Sequence, residues 1–335
     1  MKFDRVAMPL LSGLAALAIA APAAAQVTVG QVATEDNYSL CSFTTAGDEI
    51  NTSVAAGPSY AVPAPGGVIT SWTTTSWISN PQQKLGLKVF RPAGPNTFTA
   101  LAEDDRTLTP MSTNTFPISI PVQTGDLVAL HIPSHTDSPL NNCSFETPGI
   151  NHWVYKEGSA PIGVPTTFDG EYGSASLLNV SATVLPPPTI SGLSPAAGSV
   201  SGGTAVTIAG ANFAQVKGVG FGATAAAGFS VGSEGQITAT APASKTISAV
   251  PITVTTVAGT AGSAQTFAYE GCRVPKLKGK KLKASKKKLK KADCKTGKVK
   301  KRKGATGSSG KVVKQSPKPG SVLAPGAKVK VTLGP

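Results

Sequence analysis

Apolar positions along this chain recur in short runs, alternating or continuous, between clusters of Gly, Pro, Asn and Ser. Residues 68–73, 85–91, 116–120 and 126–132 have the length and composition of strands. Residues 176–184 are predicted to close the same domain as one last strand. Pro63-Ala64-Pro65-Gly66-Gly67 and Pro92-Ala93-Gly94-Pro95-Asn96 read as turns between them. No 3.6-residue period runs through residues 26–185. Many short strands without a helical period predict a β-sandwich or jelly roll.

Pro186-Pro187-Pro188 is a stiff boundary, and the pattern changes beyond it. The chain reads Thr189-Ile190-Ser191-Gly192-Leu193-Ser194-Pro195, then Gly202-Gly203-Thr204, a Val206-Thr207-Ile208 strand and Gly210-Ala211-Asn212-Phe213. Val219-Gly220-Phe221, Ile237-Thr238-Ala239-Thr240, Ile252-Thr253-Val254 and Phe267-Ala268-Tyr269 follow. Residues 186–270 are therefore predicted to form an Ig-like sandwich with no disulfide of its own. The order of these motifs resembles the IPT/TIG family of immunoglobulin-like domains. In secreted bacterial chains such a domain implies a spacer or interaction module. With only Lys217 and Lys245 for cations, the segment is not expected to read nucleic acid.

Residues 271–335 open on Val274-Pro275-Lys276-Leu277-Lys278-Gly279. Leu282, Ser285, Leu289 and Ala292 are then spaced 3, 4 and 3 apart, one face of a helix. Gln315-Ser316-Pro317-Lys318-Pro319-Gly320 makes a turn, and Gly326-Ala327-Lys328-Val329-Lys330-Val331 a strand. One helix and about three strands are expected, a small α+β unit. The series resembles a PASTA domain, which implies attachment to peptidoglycan or its fragments outside a bacterial cell. The overall fold class expected is mainly β and multidomain: an N-terminal sandwich or jelly roll, an Ig-like sandwich and the small α+β unit.

Composition alters this picture at both ends. Lys2 and Arg5 precede an uncharged apolar stretch and Ala23-Ala24-Ala25, which predicts an export signal over 1–25 cut before Gln26. No later run reaches the length of a spanning helix, so no transmembrane segment is expected after cleavage. Export permits disulfides. Of the three pairings open to four cysteines, Cys41–Cys143 and Cys272–Cys294 keep each bond inside one region. A four-cysteine metal site is the competing arrangement, and no Cys-x-x-Cys spacing supports it.

The chain carries 31 Lys and Arg, and 22 of them fall in residues 271–335 beside a single Asp. Lys280, Lys281, Lys283, Lys286, Lys287, Lys288, Lys290 and Lys291 surround the helix, and Lys298, Lys300, Lys301, Arg302 and Lys303 follow it. Such self-repelling density calls for an anionic partner. Peptidoglycan or an anionic cell-wall polymer is expected rather than nucleic acid, since no aromatic residue interrupts the tail to stack on bases. The bland alternative is a well-solvated surface.

Chemistry is sparse in residues 26–185. His131 alternates away from Val128, Leu130 and Ile132 and is expected at the surface or in a turn. Pro133 separates it from His135, and no metal site or cofactor is expected. Glu103-Asp104-Asp105 reads as an acidic turn rather than a calcium loop. Trp72 and Trp77 are the candidates for stacking on a glycan. Five residues apart on one strand, they would face opposite ways, one inward and one toward a ligand, unless both are packed. Phe145, Trp153 and Tyr155 are equally ambiguous.

The chain is expected to be a secreted, wall-associated binding protein with no catalytic residues: basic tail as anchor, Ig-like spacer, and an N-terminal domain of unknown ligand. A glycan-active enzyme is the alternative, drawing its acid pair from Glu103, Asp104, Asp105, Glu146, Asp169 and Glu171.

Overall fold

The structure is a computed structural model that describes residues 26–34, 37–41, 46–133, 142–307 and 309–335. The export signal expected over 1–25, and His135, lie outside the described residues.

The N-terminal region is built from β1 (Val27–Gln31), β2 (Tyr38–Leu40), β3 (Gly47–Ser53), β4 (Gly67–Ser76), β5 (Lys84–Gly94) and β6 (Thr97–Thr107). It continues through β7 (Ser112–Val122), β8 (Leu127–Ile132), β9 (Asn142–Glu157), β10 (Pro165–Thr167), β11 (Asp169–Leu178) and β12 (Val180–Leu185). A small sheet runs β1-β12-β4-β7, and a larger one β10-β6-β5-β8-β3-β9-β11 with β2 on β9. Leu85, Leu87 and Val89 of β5 and Val128, Leu130 and Ile132 of β8 meet Ile69, Trp72, Val180 and Ala182 of the small sheet. Alternate residues of a strand face opposite ways, so Gly86, Lys88 and Phe90 turn to the outer face of the large sheet.

That outer face is covered as well. Phe90, Phe98, Ala100, Leu127, Ala129, Ile50 and Val154 form a second apolar cluster under Ala160 and Phe168. The alternation that placed His131 at the surface therefore fails: His131 is 3% exposed, because β8 is buried on both faces. The expected acidic turn is also a correction, for Glu103, Asp104 and Asp105 lie within β6 and alternate across it.

The single strand expected over 176–184 is two. β11 ends at Leu178 in the large sheet and β12 starts at Val180 in the small one. Asn179 turns the corner, fully buried. Its Nδ2 donates to the carbonyls of Thr75 (2.6 Å) and Asn142 (3.1 Å), and its Oδ1 accepts from the backbone N–H of Ala33 (3.1 Å). These bonds satisfy backbone groups that a change of sheet would otherwise leave unpaired.

The middle region contains β13 (Thr189–Ser194), β14 (Ala197–Ser199), β15 (Ala205–Ala211), β16 (Val216–Phe221), β17 (Thr224–Ala225), β18 (Gly228–Ser233), β19 (Gln236–Thr240), β20 (Ala249–Thr256) and β21 (Gly259–Glu270). Sheets β13-β15-β19-β18 and β14-β21-β20-β16-β17 enclose Val206, Ile208, Phe213, Ile237, Val254 and Phe267. At the Gly-x-Asn-Phe corner Asn212 has φ +61° and donates from Nδ2 to the Pro187 carbonyl at 2.7 Å, which fixes how the proline run enters the domain.

The last region contains β22 (Cys272–Arg273), α1 (Leu282–Lys291), β23 (Lys295–Lys301), β24 (Lys311–Ser316), β25 (Val322–Leu323) and β26 (Lys328–Gly334). β23-β26-β24 is a sheet, parallel on one side of β26 and antiparallel on the other. Ser285 and Leu289 are the buried residues of α1, with Leu282 and Ala292 partly covered on the same side. The predicted helical face is therefore the one that packs. Gln315 joins the two ends of the module, donating to the Pro275 carbonyl (3.0 Å) and accepting from the Leu277 N–H (2.8 Å).

Both expected disulfides are present. Cys41–Cys143 ties the chain beside β2 to β9, with Cα atoms 5.0 Å apart. Cys272–Cys294 ties β22 to the end of α1, with Cα atoms 4.9 Å apart. Among the described residues no helix is long and apolar enough to cross a membrane.

Candidate functional site

Three surfaces gather chemistry. The first is the basic face of residues 271–335. All thirteen cations singled out in the sequence, from Lys280 to Lys303, are exposed. Among the described residues none of them makes a salt bridge. Lys288, Lys290 and Lys291 sit in the last turn of α1, where the helix dipole favours positive charge.

Strand alternation then aims a second set of lysines at one side of the sheet. Lys298 and Lys300 of β23, Lys314 of β24 and Lys330 of β26 line a groove of about 190 Å³ together with Gln315, Ser316 and Thr332. Lys314 and Lys330 were not singled out in the sequence. They join Lys298 and Lys300 only through pairing with β26, although their alternation with Val313, Val329 and Val331 was a readable signal.

The second surface is aromatic. Trp72 is a correction: it is fully buried, packs on Phe116 at 4.9 Å, and donates from Nε1 to Asp104 at 2.6 Å. It has no face to offer a sugar, because β4 is the second strand in from the edge and points it into the core. Trp77 lies just past β4, partly buried against the edge of the core, and borders a surface hollow with Val32, Thr34 and Met111. A larger platform forms elsewhere. Trp153, Tyr155 and Tyr172 are mutual neighbours with ring centroids 5.3 to 6.1 Å apart, and Tyr172 is 46% exposed. Pairing of β9 with β11 sets Tyr172 opposite Trp153. Beside it Glu49, Asn51, Trp153 and Ser176 line a pocket of about 160 Å³. Burial pushes the Glu49 carboxyl up to about 7.

The third surface is a charged cluster on the outer face of the large sheet. Register places Asp105, Gly86, His131 and Asp48 in one row across β6, β5, β8 and β3. Glu103 and Lys88 pair in the next row on the same face. His131 Nδ1 and Asp48 Oδ1 are 2.6 Å apart. The other Asp48 oxygen accepts the Ala160 N–H at 2.7 Å and lies 3.3 Å from Lys88 Nζ. Lys88, fully buried, also reaches Glu103 Oε2 at 2.7 Å and donates to Ser159 Oγ at 2.7 Å. Burial first, and then Glu103 beside it, raise the pKa of Asp105, against the pull of His131 and Lys88.

The acid pool is thereby divided. Glu103 and Asp105 face His131, Asp104 is turned to Trp72 and Arg106, and Glu171 and Asp169 contact His152 (3.4 Å) and Lys156 (3.9 Å).

Residues 188–269 match the IPT/TIG domain model and residues 273–335 the PASTA domain model. The chain thus carries an IPT/TIG domain followed by a PASTA domain, and this pairing fits a role in binding at a cell envelope. Its two disulfides fit an oxidising, extracytoplasmic compartment. No curated protein matches the chain. Among solved structures it is similar to the plexin A4 extracellular region, at 17% identity over 63% of this chain and 17% of that one, with TM-score 0.26. It is also similar to SGBP-B from a complex xyloglucan utilization locus in Bacteroides uniformis, at 14% identity over 66% of this chain and 55% of that one, with TM-score 0.24. A crystal structure with a xylogluco-oligosaccharide matches at 16% identity over 62% of this chain and 38% of that one, with TM-score 0.27. Likenesses this weak carry no argument about ligand or activity.

Proposed function

We propose that the protein is a secreted, non-enzymatic binding protein held at the cell wall by its PASTA domain. The IPT/TIG domain is the spacer and the N-terminal sandwich presents a glycan-binding surface. The supporting observation is the charge split: 22 Lys and Arg against one Asp in residues 271–335, with the named cations exposed and four lysines converging on one groove. Lysine acts as a point charge and suits a repeating polyanion better than a shaped ligand. The aromatic trio Trp153, Tyr155 and Tyr172 supports glycan binding in the sandwich, since sugar rings stack on such faces.

The test is sedimentation of the full mature chain, and of the chain ending at residue 270, with purified wall and with wall stripped of anionic polymer. Only the full chain should bind, and the stripped wall should hold less of it. Equal binding by the shortened chain would end the anchoring model.

Glu49 favours a second reading. A carboxyl protonated near pH 7 beside an aromatic residue has the character of a general acid. Turnover of a polysaccharide that is lost in Glu49→Gln would make the sandwich an enzyme.

A further inference from the structure

We propose that His131, Glu103 and Asp105 form a binding site for a divalent transition metal, zinc above all, on the outer face of the large sheet. This goes beyond the anchoring function and does not depend on it. Nδ1 of His131 is engaged by Asp48, so the second ring nitrogen is the one available to a metal. Nε2 lies 3.7 Å from Glu103 Oε1 and 3.9 Å from Asp105 Oδ2, beyond hydrogen-bond length of both, and the three donor atoms fall within 4.8 Å of one another. Zinc at its usual bond lengths holds donors about 3.3 Å apart, so closing the site takes small rotations of two exposed carboxylates around a fixed imidazole.

The surroundings are those of a built site. A carboxylate on the distal nitrogen of a ligating histidine fixes its tautomer and orientation, and Asp48 is fully buried in that position. Asp48 is fixed in turn by the Ala160 N–H and Lys88. Lys88 takes the Oε2 oxygen of Glu103 and leaves Oε1 facing the ring. Gly86 clears the path for the remaining donor: a Cβ there would stand 2.0 Å from Asp105 Oδ1. With a neutral imidazole, three carboxylates and one ammonium leave a net charge of −2, which a divalent ion cancels. One nitrogen and two oxygens suit zinc or a neighbouring first-row metal better than calcium. Three protein donors also leave a coordination position open for water or a ligand group.

Zinc chloride titrated calorimetrically into the metal-free full mature chain tests this, with metal content read after dialysis. One zinc per chain is expected, with a rise in the thermal unfolding temperature of the sandwich. Glu103→Gln/Asp105→Asn removes two exposed donors without opening the core, and should abolish both effects while circular dichroism is unchanged. Gly86→Ala, which deletes no donor, should weaken binding roughly 10–100-fold, in the range of outer-shell changes. His152→Gln should bind as the parent does. Absence of retained zinc in the parent chain, or zinc retained by the double variant, would overturn the proposal and leave the cluster as a hydrogen-bonded charge network without a metal.

Discussion

The Asp105 carboxylate occupies the space that Gly86 leaves by having no side chain, one strand away, and so reaches toward His131 on the next. A glycine inside a strand ordinarily weakens it. Here its absence of Cβ lets two rows of charge meet over β5. The sandwich thereby keeps a polar cluster beside the apolar half of the same sheet face.

The two lysine sets make separable predictions. Changing Lys298, Lys300, Lys314 and Lys330 to Gln should reduce wall binding more than changing Lys286, Lys287, Lys290 and Lys291, because the first four converge on one groove. Binding by the parent chain should fall roughly tenfold or more as salt rises from low to physiological strength. Equal losses from the two variants in a sedimentation assay would show that charge alone matters.

Glu49 sets a pH dependence. Its folded pKa of about 7 lies above the ordinary carboxylate value, so the native state binds this proton more tightly than the unfolded chain. Its stabilising effect is complete below about pH 4 and is lost as pH rises toward 7, by roughly 3 kcal/mol in all. Urea unfolding of Glu49→Gln between pH 5 and 8 should show a flatter profile than the parent. Parallel profiles would remove Glu49 as the source.

The disulfides close loops of different length, with sequence separations of 102 and 22 residues. In the chain-entropy model, loss of Cys41–Cys143 costs about 4–5 kcal/mol and loss of Cys272–Cys294 about 3 kcal/mol. Peptide mapping without reduction should find these two pairs. Serine variants followed by denaturant unfolding should rank in that order.

Asn179→Ala should destabilise the sandwich by roughly 2–4 kcal/mol, since it leaves several buried backbone groups without their partner. Trp72→Phe should also lower stability while leaving any glycan affinity intact, whereas Trp153→Ala should lower affinity. Calorimetry on a panel of wall glycans checks the affinities, and urea unfolding the stabilities.

Much of this protein is determined locally. The strands over 68–73, 85–91, 116–120 and 126–132, the helix face of Leu282, Ser285, Leu289 and Ala292, the charge split and both cysteine pairs follow from spacing and composition, because period, turn chemistry and chain distance are properties of the sequence itself, while the IPT/TIG and PASTA domains are legible through the resemblance of their motif order. Other features had to wait for the tertiary fold. Alternation says that His131 opposes Leu130, but only the segment bearing Ala160 and Phe168 decides that both faces are covered. Likewise Tyr172 meets Trp153, Lys330 meets Lys314, and Asp105 meets His131 through strand pairing between residues distant in sequence. Strand register is set by the whole sheet, so no local pattern could carry it.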